Sequence, residues 1–304
     1  MTEDSLRYVV VLAGGEGRRL ASLTRALYGT DLPKQFAVLA GERSLLQTTI
    51  ERAKTVTALE RISVVVTAHH EAIARDQLAR CPEIELIVQP RNLDTGPGML
   101  LPLARILARS PDACVVFMPS DHHMSNSKPV TRGLDLATAG ILSDRVTLVG
   151  VAPNGPEVDY GWIVPGDRIA QTEAFEIRRF HEKPSHELAR ELWRAGGLWN
   201  TFISAGRASV FWDLARRHLP DHAAAFERYA TEPSSDRALD AAYRSMAPAN
   251  FSRDVLAYAR SLAVLPVSGS GWSDWGSPAR VFASLAGTES HDRLVDRIRG
   301  ELAP

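Results

Sequence analysis

This sequence has few cysteines and almost no net charge, and each of these properties excludes a class of protein. The chain has 304 residues and two cysteines, Cys81 and Cys114. Two such cysteines, one in a strand-like run and one before a proline, predict separate thiols rather than a disulfide framework or a metal site. The formal net charge of -1 provides no overall field to hold nucleic acid or an anionic membrane, so we expect neither as a partner.

Membrane-length apolar runs, repeats and low-complexity tracts are missing as well. Even MLLPLARILA (99–108) is short for a membrane span and contains Arg105. The first residues are acidic where a secretory signal would be basic. No stretch rich in Gly, Ser or Pro separates two domains. We therefore expect a cytoplasmic protein with one main core, which a 45% hydrophobic composition can fill.

The first half of the chain, residues 1–151, alternates short apolar runs with segments of helical spacing. The strand-like runs are 61–68, 84–90, 113–119 and 145–151, and the helical segments are 44–58, 69–80, 97–109 and 129–142. This alternation is typical of an α/β fold with a Rossmann-like, doubly wound, mostly parallel sheet. In such sheets ligands bind beyond the carboxyl ends of the strands.

The second half, residues 152–287, has a different pattern. Its strand-like segments, around 160–164 and 173–180, are shorter and more polar, and mixed helices follow to about 260. A further strand-like run lies at 261–267, and a charged helix is expected within 288–304. We interpret 152–287 as a subdomain on the same sheet.

A glycine-rich stretch, LAGGEGRRL (12–20), follows an apolar run at the first strand. Glycines allow positive φ and let backbone N–H groups approach a ligand closely. Successive N–H groups and arginine side chains together suit an anion such as phosphate. The alternative is a tight strand-to-helix connection with its arginines in solvent. The residues concerned are Gly14, Gly15, Gly17, Arg18 and Arg19.

Two familiar phosphate loops do not match this stretch. A dinucleotide fingerprint requires a third glycine where this chain has Leu20, which disfavours a dinucleotide-dependent oxidoreductase. An ATPase-type loop ends in Gly-Lys-Ser/Thr, whereas this one reads Gly17-Arg18-Arg19. A phosphate loop of another kind remains, and its partners must lie further along the chain.

Three charged residues near strand ends are candidates for those partners. Lys34 follows Pro33 shortly after the loop and could reach the same phosphates. Asp121 follows a buried strand in MPSDH, and Asp274 lies in GWSDWGS. Two carboxylates could converge on one magnesium ion (Mg2+), which prefers oxygen ligands. The alternatives are that Lys34 is a surface lysine, Asp121 a helix cap and Asp274 a turn residue. The adjacent histidines His122 and His123 lack the spacing of a zinc site.

A second group of polar residues suits a phosphorylated sugar. The stretches DYGWI, FHEKP and LWNTFI contribute Tyr160, Gly161, Glu182, Lys183 and Asn200. Carboxylate and amide groups pair with hydroxyls, and an ammonium pairs with phosphate. The alternative is that the neighbouring aromatic residues are core and the polar ones face solvent.

Taken together, these stretches resemble the sugar-1-phosphate nucleotidylyltransferases. LAGGEGRRL is similar to the family signature LAGGxGxRL, with Arg19 at the signature arginine, and the resemblance continues through Lys34, PSDH, EKP and DWG, over about 7–285. PKQF, QPRNLDTGPG, WNTFI and GWSDWGS are most similar to the mannose-1-phosphate guanylyltransferases. The family proline after the signature arginine is absent, and the Asn-Thr-Ala-Pro-Ala and Asn-Ser-Gly stretches are altered at 92–98 and 200–202.

The resemblance implies a reaction and its substrates. A sugar 1-phosphate attacks the α-phosphorus of a nucleoside triphosphate and releases pyrophosphate, with GTP and mannose 1-phosphate as the first choice and GDP-mannose as the product. The alternatives are another pair, such as UTP or dTTP with glucose 1-phosphate, and a catalytically weak nucleotide-sugar-binding protein. The resemblance also implies a nucleotidyltransferase domain over 1–287, no β-helical or isomerase extension, and a possible homodimer.

The resemblance further implies a role for each candidate residue. Arg19, Lys34 and Asp121 are expected to be catalytic, and Asp121 and Asp274 to hold Mg2+. The sugar phosphate is expected at Tyr160, Gly161, Glu182, Lys183 and Asn200. The nucleotide is expected at Leu12, Ala13, Gly14, Gly15, Gly17, Arg18, Gln89, Asn92, Thr95, Gly96 and Pro97.

Overall fold

Nine strands form one mixed sheet in the computed structural model, which describes residues 6–138, 142, 144–233 and 235–300. The strands are β1 (Arg7–Leu12), β2 (Ile62–Thr67), β3 (Glu85–Gln89), β4 (Cys114–Pro119), β5 (Val146–Val151), β6 (Gly161–Arg168), β7 (Phe175–Glu182), β8 (Leu198–Arg207) and β9 (Leu262–Val267). Their order across the sheet is β3-β2-β1-β4-β8-β5-β9-β7-β6.

The helices cover both faces of this sheet. They are α1 (Ala21–Tyr28), α2 (Leu45–Ala53), α3 (Glu71–Leu78), α4 (Thr95–Arg109), α5 (Lys128–Thr138), α6 (His186–Arg194), α7 (Ala208–His218), α8 (Pro220–Ala230), α9 (Asp236–Ser245), α10 (Pro278–Leu285) and α11 (Glu289–Arg299). The four helical segments and four strand-like runs expected in the first half are confirmed, with shifted ends. The end of the predicted helix 129–142 includes residues 139–141, which lie outside the described part of the chain.

The first half of the sheet is parallel, as the apolar runs predict. Strand β1 pairs in parallel with β2 and β4, and β2 pairs in parallel with β3. Leu12 lies opposite Pro119, and Thr67 lies opposite Gln89. The segments that leave β1, β3 and β4 therefore start from one edge of the sheet.

Strand β8 makes the whole sheet mixed rather than mostly parallel. It runs antiparallel between β4 and β5, and β6 and β7 also pair antiparallel. The sequence pattern does not predict a strand at β8, because Asn200, Thr201 and Gly206 interrupt its apolar residues. Helix α1 is not among the predicted helical segments, and the glycine loop leads into it through a short 3-10 turn at Arg18–Leu20.

Alternate residues of β1 bury into two different cores. Val10 packs with the helices α4 and α7 on one face, where Leu101 and Phe211 are buried. Val9 and Val11 pack on the other face with residues such as Ile50 of α2. This alternation follows from the two-residue period of a strand, and it explains why the run has no polar residue.

A third apolar cluster attaches the last two helices to the beginning of the chain. Leu285 of α10 and Leu294 of α11 are buried against Leu20 and Leu27, beside the fully buried Trp275. The expected charged helix within 288–304 is thus present as Glu289–Arg299. Its apolar face stabilises the segment that carries Asp274.

The pairing between β8 and β5 is irregular near the middle of β8. Between Asn200 and Ser204 the pairing with β5 shifts register. The Thr201 hydroxyl donates to the Val149 carbonyl at 2.8 Å and accepts from the Ile203 N–H at 3.2 Å. It therefore replaces ladder hydrogen bonds that the bulge breaks.

We predict that Thr201→Val destabilises the protein by about 1–3 kcal/mol, because an isosteric side chain leaves the buried Val149 and Ile203 groups without their partner. Thr147→Val is the matched control. Thr147 is equally buried on the neighbouring β5, and its hydroxyl has no hydrogen-bond partner among the described residues. Urea denaturation of both variants measures the difference, and equal free energies of unfolding would contradict the role given to Thr201.

Candidate active site

A cleft of about 580 Å³ opens at the carboxyl edge of the parallel strands. It brings together candidate residues from both halves of the sequence. Those that line it are Leu12, Gly14, Gly15, Arg19, Gln89, Asn92, Thr95, Asp121, Tyr160, Gly161, Glu182, Lys183, Asn200 and Asp274. The phosphate loop expected from the sequence and the residues expected for the sugar therefore share one cavity.

The other candidates lie outside this lining. Arg18 points into solvent, with its side chain 83% exposed and paired with Glu16 at 2.9 Å. The remaining five are buried supports or parts of the loop backbone. They are Ala13, Gly17, Lys34, Gly96 and Pro97.

The three loop glycines have different surroundings. Gly17 has a φ of 63°, and a β-carbon there would lie 2.6 Å from the backbone nitrogen of Lys34. Gly14 does not adopt positive φ, but a β-carbon added to it would lie 2.9 Å from the side-chain amide nitrogen of Gln89. Gly15 has open space around it, with no atom within 4 Å. The expectation of positive φ is thus correct for Gly17 alone.

Gln35 holds the loop in shape, and the sequence reasoning missed it. Its buried side-chain amide donates to the carbonyls of Ala13 at 3.1 Å and Gly15 at 2.6 Å. No described acceptor bonds to the backbone N–H groups of Gly14 to Gly17. The sequence signal that could have pointed to Gln35 is its position directly after Lys34 in PKQF.

Asp274 is the most heavily bonded carboxylate of the cleft. It accepts from the Tyr160 hydroxyl at 2.7 Å, from the Gly276 N–H at 2.8 Å and from the Arg280 guanidinium at 3.2 Å. Arg19 lies 3.4 Å from its other oxygen. Burial raises the pKa of Asp274, but the hydrogen bond from Tyr160 and nearby positive charges lower that pKa further, below its ordinary value.

Lys34 connects this carboxylate segment to Asp121. Its buried ammonium lies 3.1 Å from the Asp121 carboxylate and donates to the Asp274 backbone carbonyl at 2.5 Å. Burial raises the pKa of Asp121, and the charge of Lys34 opposes this and leaves that pKa below its usual range. The pKa values of both aspartates are thus below the ordinary value, so both carboxylates are ionised at neutral pH.

A short antiparallel bridge holds the two aspartate segments together. His123 and Ser273 exchange backbone hydrogen bonds of 2.9 and 3.0 Å. The His123 ring stacks on Trp275 with centroids 4.2 Å apart, and Trp272 donates to His122 at 3.3 Å. Burial lowers the pKa of His123 to about 4, so this ring packs as a neutral aromatic group.

The expected sugar residues meet at the other end of the cleft. Gly161 pairs with Glu182 across β6 and β7. A β-carbon on Gly161 would lie 3.0 Å from the Glu182 carboxylate and 3.3 Å from the Asn200 β-carbon. Lys183 donates its N–H to the Tyr160 carbonyl at 3.2 Å. Burial raises the pKa of Glu182, which the charge of Lys183 partly opposes.

Strained backbone is concentrated at this cleft. Asp94, Lys183, Phe202 and Trp275 have φ values of 70°, 46°, 61° and 45°. Positive φ is costly for residues other than glycine, and such strain persists where the surrounding structure enforces it. Phe202 also receives support from the Asn200 side chain, which accepts from its N–H at 3.2 Å.

A segment before β9 closes the cleft wall, and no sequence signal pointed to it. Asn250 donates to the Asp94 carboxylate at 3.1 Å, and the Phe251 N–H donates to the Thr95 hydroxyl at 2.9 Å. Asn250 and Ser252 line the cleft, and Ser252 begins a π-helical turn. Turns of this type are frequent at functional sites.

The donor set of the two aspartates fits a hard divalent cation. Magnesium prefers carboxylate oxygens and retains several waters, so one or two carboxylates suffice. Both aspartates line the cleft, and Lys34 joins the Asp121 carboxylate to the Asp274 backbone carbonyl, which keeps the two segments together. No group of three or more His, Cys, Asp or Glu residues suited to a metal occurs in the described ranges.

Comparison with known proteins assigns the family. The family model described as nucleotidyl transferase matches residues 8–290. The chain belongs to this nucleotidyltransferase family. The match includes the glycine loop, both aspartates and the expected sugar residues, as the resemblance of the motifs predicts.

Several members of the family are similar along most of this chain. The alginate biosynthesis protein AlgA of Pseudomonas fluorescens is 31% identical over 90% of this chain and 57% of its own length. The mannose-1-phosphate guanylyltransferase of Escherichia coli (strain K12) is 29% identical over 90% of this chain and 59% of its own. The chain therefore spans somewhat more than half of the length of these relatives.

Two solved structures share the fold of this chain. A mannose-1-phosphate geranyltransferase from Thermus thermophilus superposes with a TM-score of 0.79 at 27% identity, over 92% of this chain and 79% of its own. A mannose-6-phosphate isomerase from Helicobacter pylori has the same fold, with a TM-score of 0.70 at 16% identity, over 88% of this chain and 99% of its own. Among the described residues, we find no helix with the length and apolar character to cross a membrane.

We predict that Gly17→Ala destabilises the folded state by more than about 2 kcal/mol, because a methyl group must displace the Lys34 backbone as well as tolerate positive φ. Gly29→Ala is the matched control, since Gly29 has a φ of 69° and no atom near its β-carbon position. Guanidinium denaturation of both variants separates the steric cost from the conformational cost. Equal losses would show that the close approach of Lys34 is unimportant.

Proposed function

We propose that this protein transfers a nucleotidyl group from a nucleoside triphosphate to a sugar 1-phosphate, with GTP and mannose 1-phosphate as the best candidates. The products are GDP-mannose and pyrophosphate. The observation that carries the proposal is the buried Lys34 ammonium, which joins the Asp121 carboxylate to the Asp274 backbone carbonyl. Both aspartates line one cleft with the glycine loop and the residues expected for the sugar. The names of the relatives support the choice of substrates.

The nucleotide is proposed to bind to the half formed by residues 1–151. The N–H groups of the glycine loop are free among the described residues, and anions bind well to such groups. Arg19 adds a guanidinium to the same wall of the cleft. Gln89, Asn92 and Thr95 line the wall where the base and ribose are expected.

The sugar phosphate is proposed to bind to the half formed by residues 152–287. Glu182 and Asn200 offer acceptors and donors for hydroxyl groups, and Lys183 offers a positive charge for the phosphate. Gly161 lies beside both side chains and has no β-carbon, which would crowd Glu182 and Asn200. Helix α11 (Glu289–Arg299) contributes no residue to the described lining of the cleft, and we propose that it supports the Asp274 segment.

The proposed reaction requires positioning more than covalent catalysis. A phosphate oxygen of the sugar 1-phosphate is already a nucleophile, so no serine or cysteine intermediate is necessary. When bound at Asp121 and Asp274, Mg2+ supplies charge neutralisation for the phosphates. Lys34 and Arg19 stabilise the negative charge that develops as pyrophosphate leaves.

Two alternatives are kept because the base and sugar stretches depart from the family pattern. The first is the same reaction with another pair, such as UTP or dTTP with glucose 1-phosphate. The second is a nucleotide-sugar-binding protein with weak activity. Retention of Lys34, Asp121 and Asp274 in one cluster favours an enzyme. The homodimer and the cytoplasmic location stay predictions.

Pyrophosphate release with Mg2+ tests the proposal directly. GTP, ATP, UTP, dTTP and CTP are each combined with mannose, glucose, galactose and fucose 1-phosphates. We expect the highest rate with GTP and mannose 1-phosphate, and no rate after EDTA treatment. A higher rate with another pair would support the first alternative. Tight binding of a nucleotide sugar without turnover would support the second.

Asp121→Asn is expected to lower the rate at least 100-fold, because it removes the proposed magnesium ligand and the partner of Lys34. Asp213→Asn is the control, since Asp213 is an exposed aspartate of α7. Thermal unfolding must show that the Asp121 variant is folded at the assay temperature. Electron paramagnetic resonance of Mn2+ in the presence of GTP gives a second readout, and unchanged ion binding would contradict the assignment.

A further inference from the structure

The base-binding wall contains a buried tyrosine that the sequence analysis did not consider. Tyr243 lies on α9, is 1% exposed and donates its hydroxyl hydrogen to the side-chain oxygen of Gln89 at 2.9 Å. Gln89 is the last residue of β3 and lines the cleft. These residues are 154 positions apart in the sequence.

The hydroxyl of Tyr243 determines which way the Gln89 amide faces. Gln89 is the sole acceptor bonded to this hydroxyl among the described residues. If the amide were reversed, its nitrogen would face the hydroxyl, and the buried O–H would have no acceptor. An unsatisfied buried donor costs about 1–3 kcal/mol. The oxygen of Gln89 therefore points to Tyr243 and its NH₂ group points away.

The Gln89 amide lies between two glycines that line the cleft, with its nitrogen against Gly14. The nitrogen is 2.9 Å from the position that a β-carbon would take on Gly14, and the oxygen and nitrogen are 3.6 and 3.8 Å from the equivalent position on Gly98. Gln89 is 3% exposed, and because neither glycine has a side chain, no β-carbon from these two positions crowds its amide at the cleft. The Gln89 nitrogen has no acceptor within the described residues, so its hydrogens are available to a ligand.

Tyr243 itself is firmly held. Its ring packs edge-on against Phe226 with centroids 5.8 Å apart, and Arg91, which follows Gln89 closely in the chain, donates to its backbone carbonyl. Burial raises the pKa of the Tyr243 hydroxyl, so the hydroxyl stays protonated and remains a donor. The orientation of Gln89 is thus built into the fold.

We propose that Tyr243 is a specificity-positioning residue, which makes Gln89 a hydrogen-bond donor and so selects nucleobases with a carbonyl oxygen over those with an exocyclic amino group. Guanine and uracil carry such an oxygen, at O6 and O4. Adenine and cytosine carry an amino group there, which would face the NH₂ of Gln89 donor to donor. This inference rests on the proposed nucleotide site. It adds the class of base and the residue that enforces it.

Paired nucleotides test the inference with little else changed. ITP differs from ATP, and UTP from CTP, by the exchange of the amino group for a carbonyl and the linked ring proton. Their dissociation constants are measured by isothermal titration calorimetry with Mg2+. We expect the carbonyl member of each pair to bind at least about tenfold more tightly to the natural protein. Tighter binding of ATP and CTP would overturn the inference.

Tyr243→Phe is the decisive variant, because it removes the hydroxyl and frees the Gln89 amide to reverse. The preference within each pair should fall to less than about threefold, with little effect on the other nucleotide contacts. Tyr229→Phe is the matched control, since Tyr229 is a buried tyrosine on α8 that donates to the Pro233 carbonyl at 2.6 Å. That variant should keep the full preference.

The remaining outcomes separate this inference from the proposed function. A Tyr243 variant that binds nucleotides with an unchanged preference overturns the role of Tyr243 and leaves the proposed function intact. If that variant does not fold, Gln89→Leu is used, and a preference that survives in it overturns the inference. Binding of none of the four nucleotides to a folded natural protein would overturn the nucleotide site as well.

Discussion

The ammonium of Lys34, buried between the Asp121 carboxylate and the Asp274 backbone, is the contact on which the candidate site depends. A buried cation is costly unless it is paired and hydrogen-bonded. Lys34 is 5% exposed, and its partners come from positions far apart in the chain. The Lys34 ammonium can therefore make these contacts only if the segment after the glycine loop, the end of β4 and the segment after β9 meet at one point.

Several other contacts hold these three segments together. Gln35 anchors the loop in front of Lys34 through two carbonyls, and the bridge between His123 and Ser273 joins the aspartate segments. The apolar cluster of α1, α10 and α11 buries Trp275 directly beside Asp274. The strained φ of Trp275 is maintained because its surroundings are packed on all sides.

The two ends of the cleft are built by different means. The proposed nucleotide end contains bare backbone, because Gly14 and Gly98 border the Gln89 amide. The proposed sugar end contains the bulge in β8 and the left-handed Lys183, and Asn200 and Lys183 line the cavity there. A change of base and a change of sugar would thus involve separate parts of the fold, consistent with altered family motifs in both places.

The strongly periodic parts of the fold were predictable from the sequence. Buried strands such as β1 and β4 have continuous apolar runs, and the glycines, Lys34 and the aspartates carry chemistry that is readable without coordinates. The unpredicted parts depend on contacts between distant residues. Strand β8 has too many polar residues to be recognised, and it becomes a central strand because β4 and β5 cover it.

The sequence by itself determined the family, the chemical types of the site residues and the alternation of strands and helices, because each depends on local pattern. Only the tertiary structure decided the roles of Gln35, Asn250 and Arg280, since a single glutamine, asparagine or arginine has no meaning without its partners. It also decided the direction of the Gln89 amide. That direction depends on a tyrosine 154 residues away, and hydrogen bonds between such distant residues leave no local pattern in a sequence.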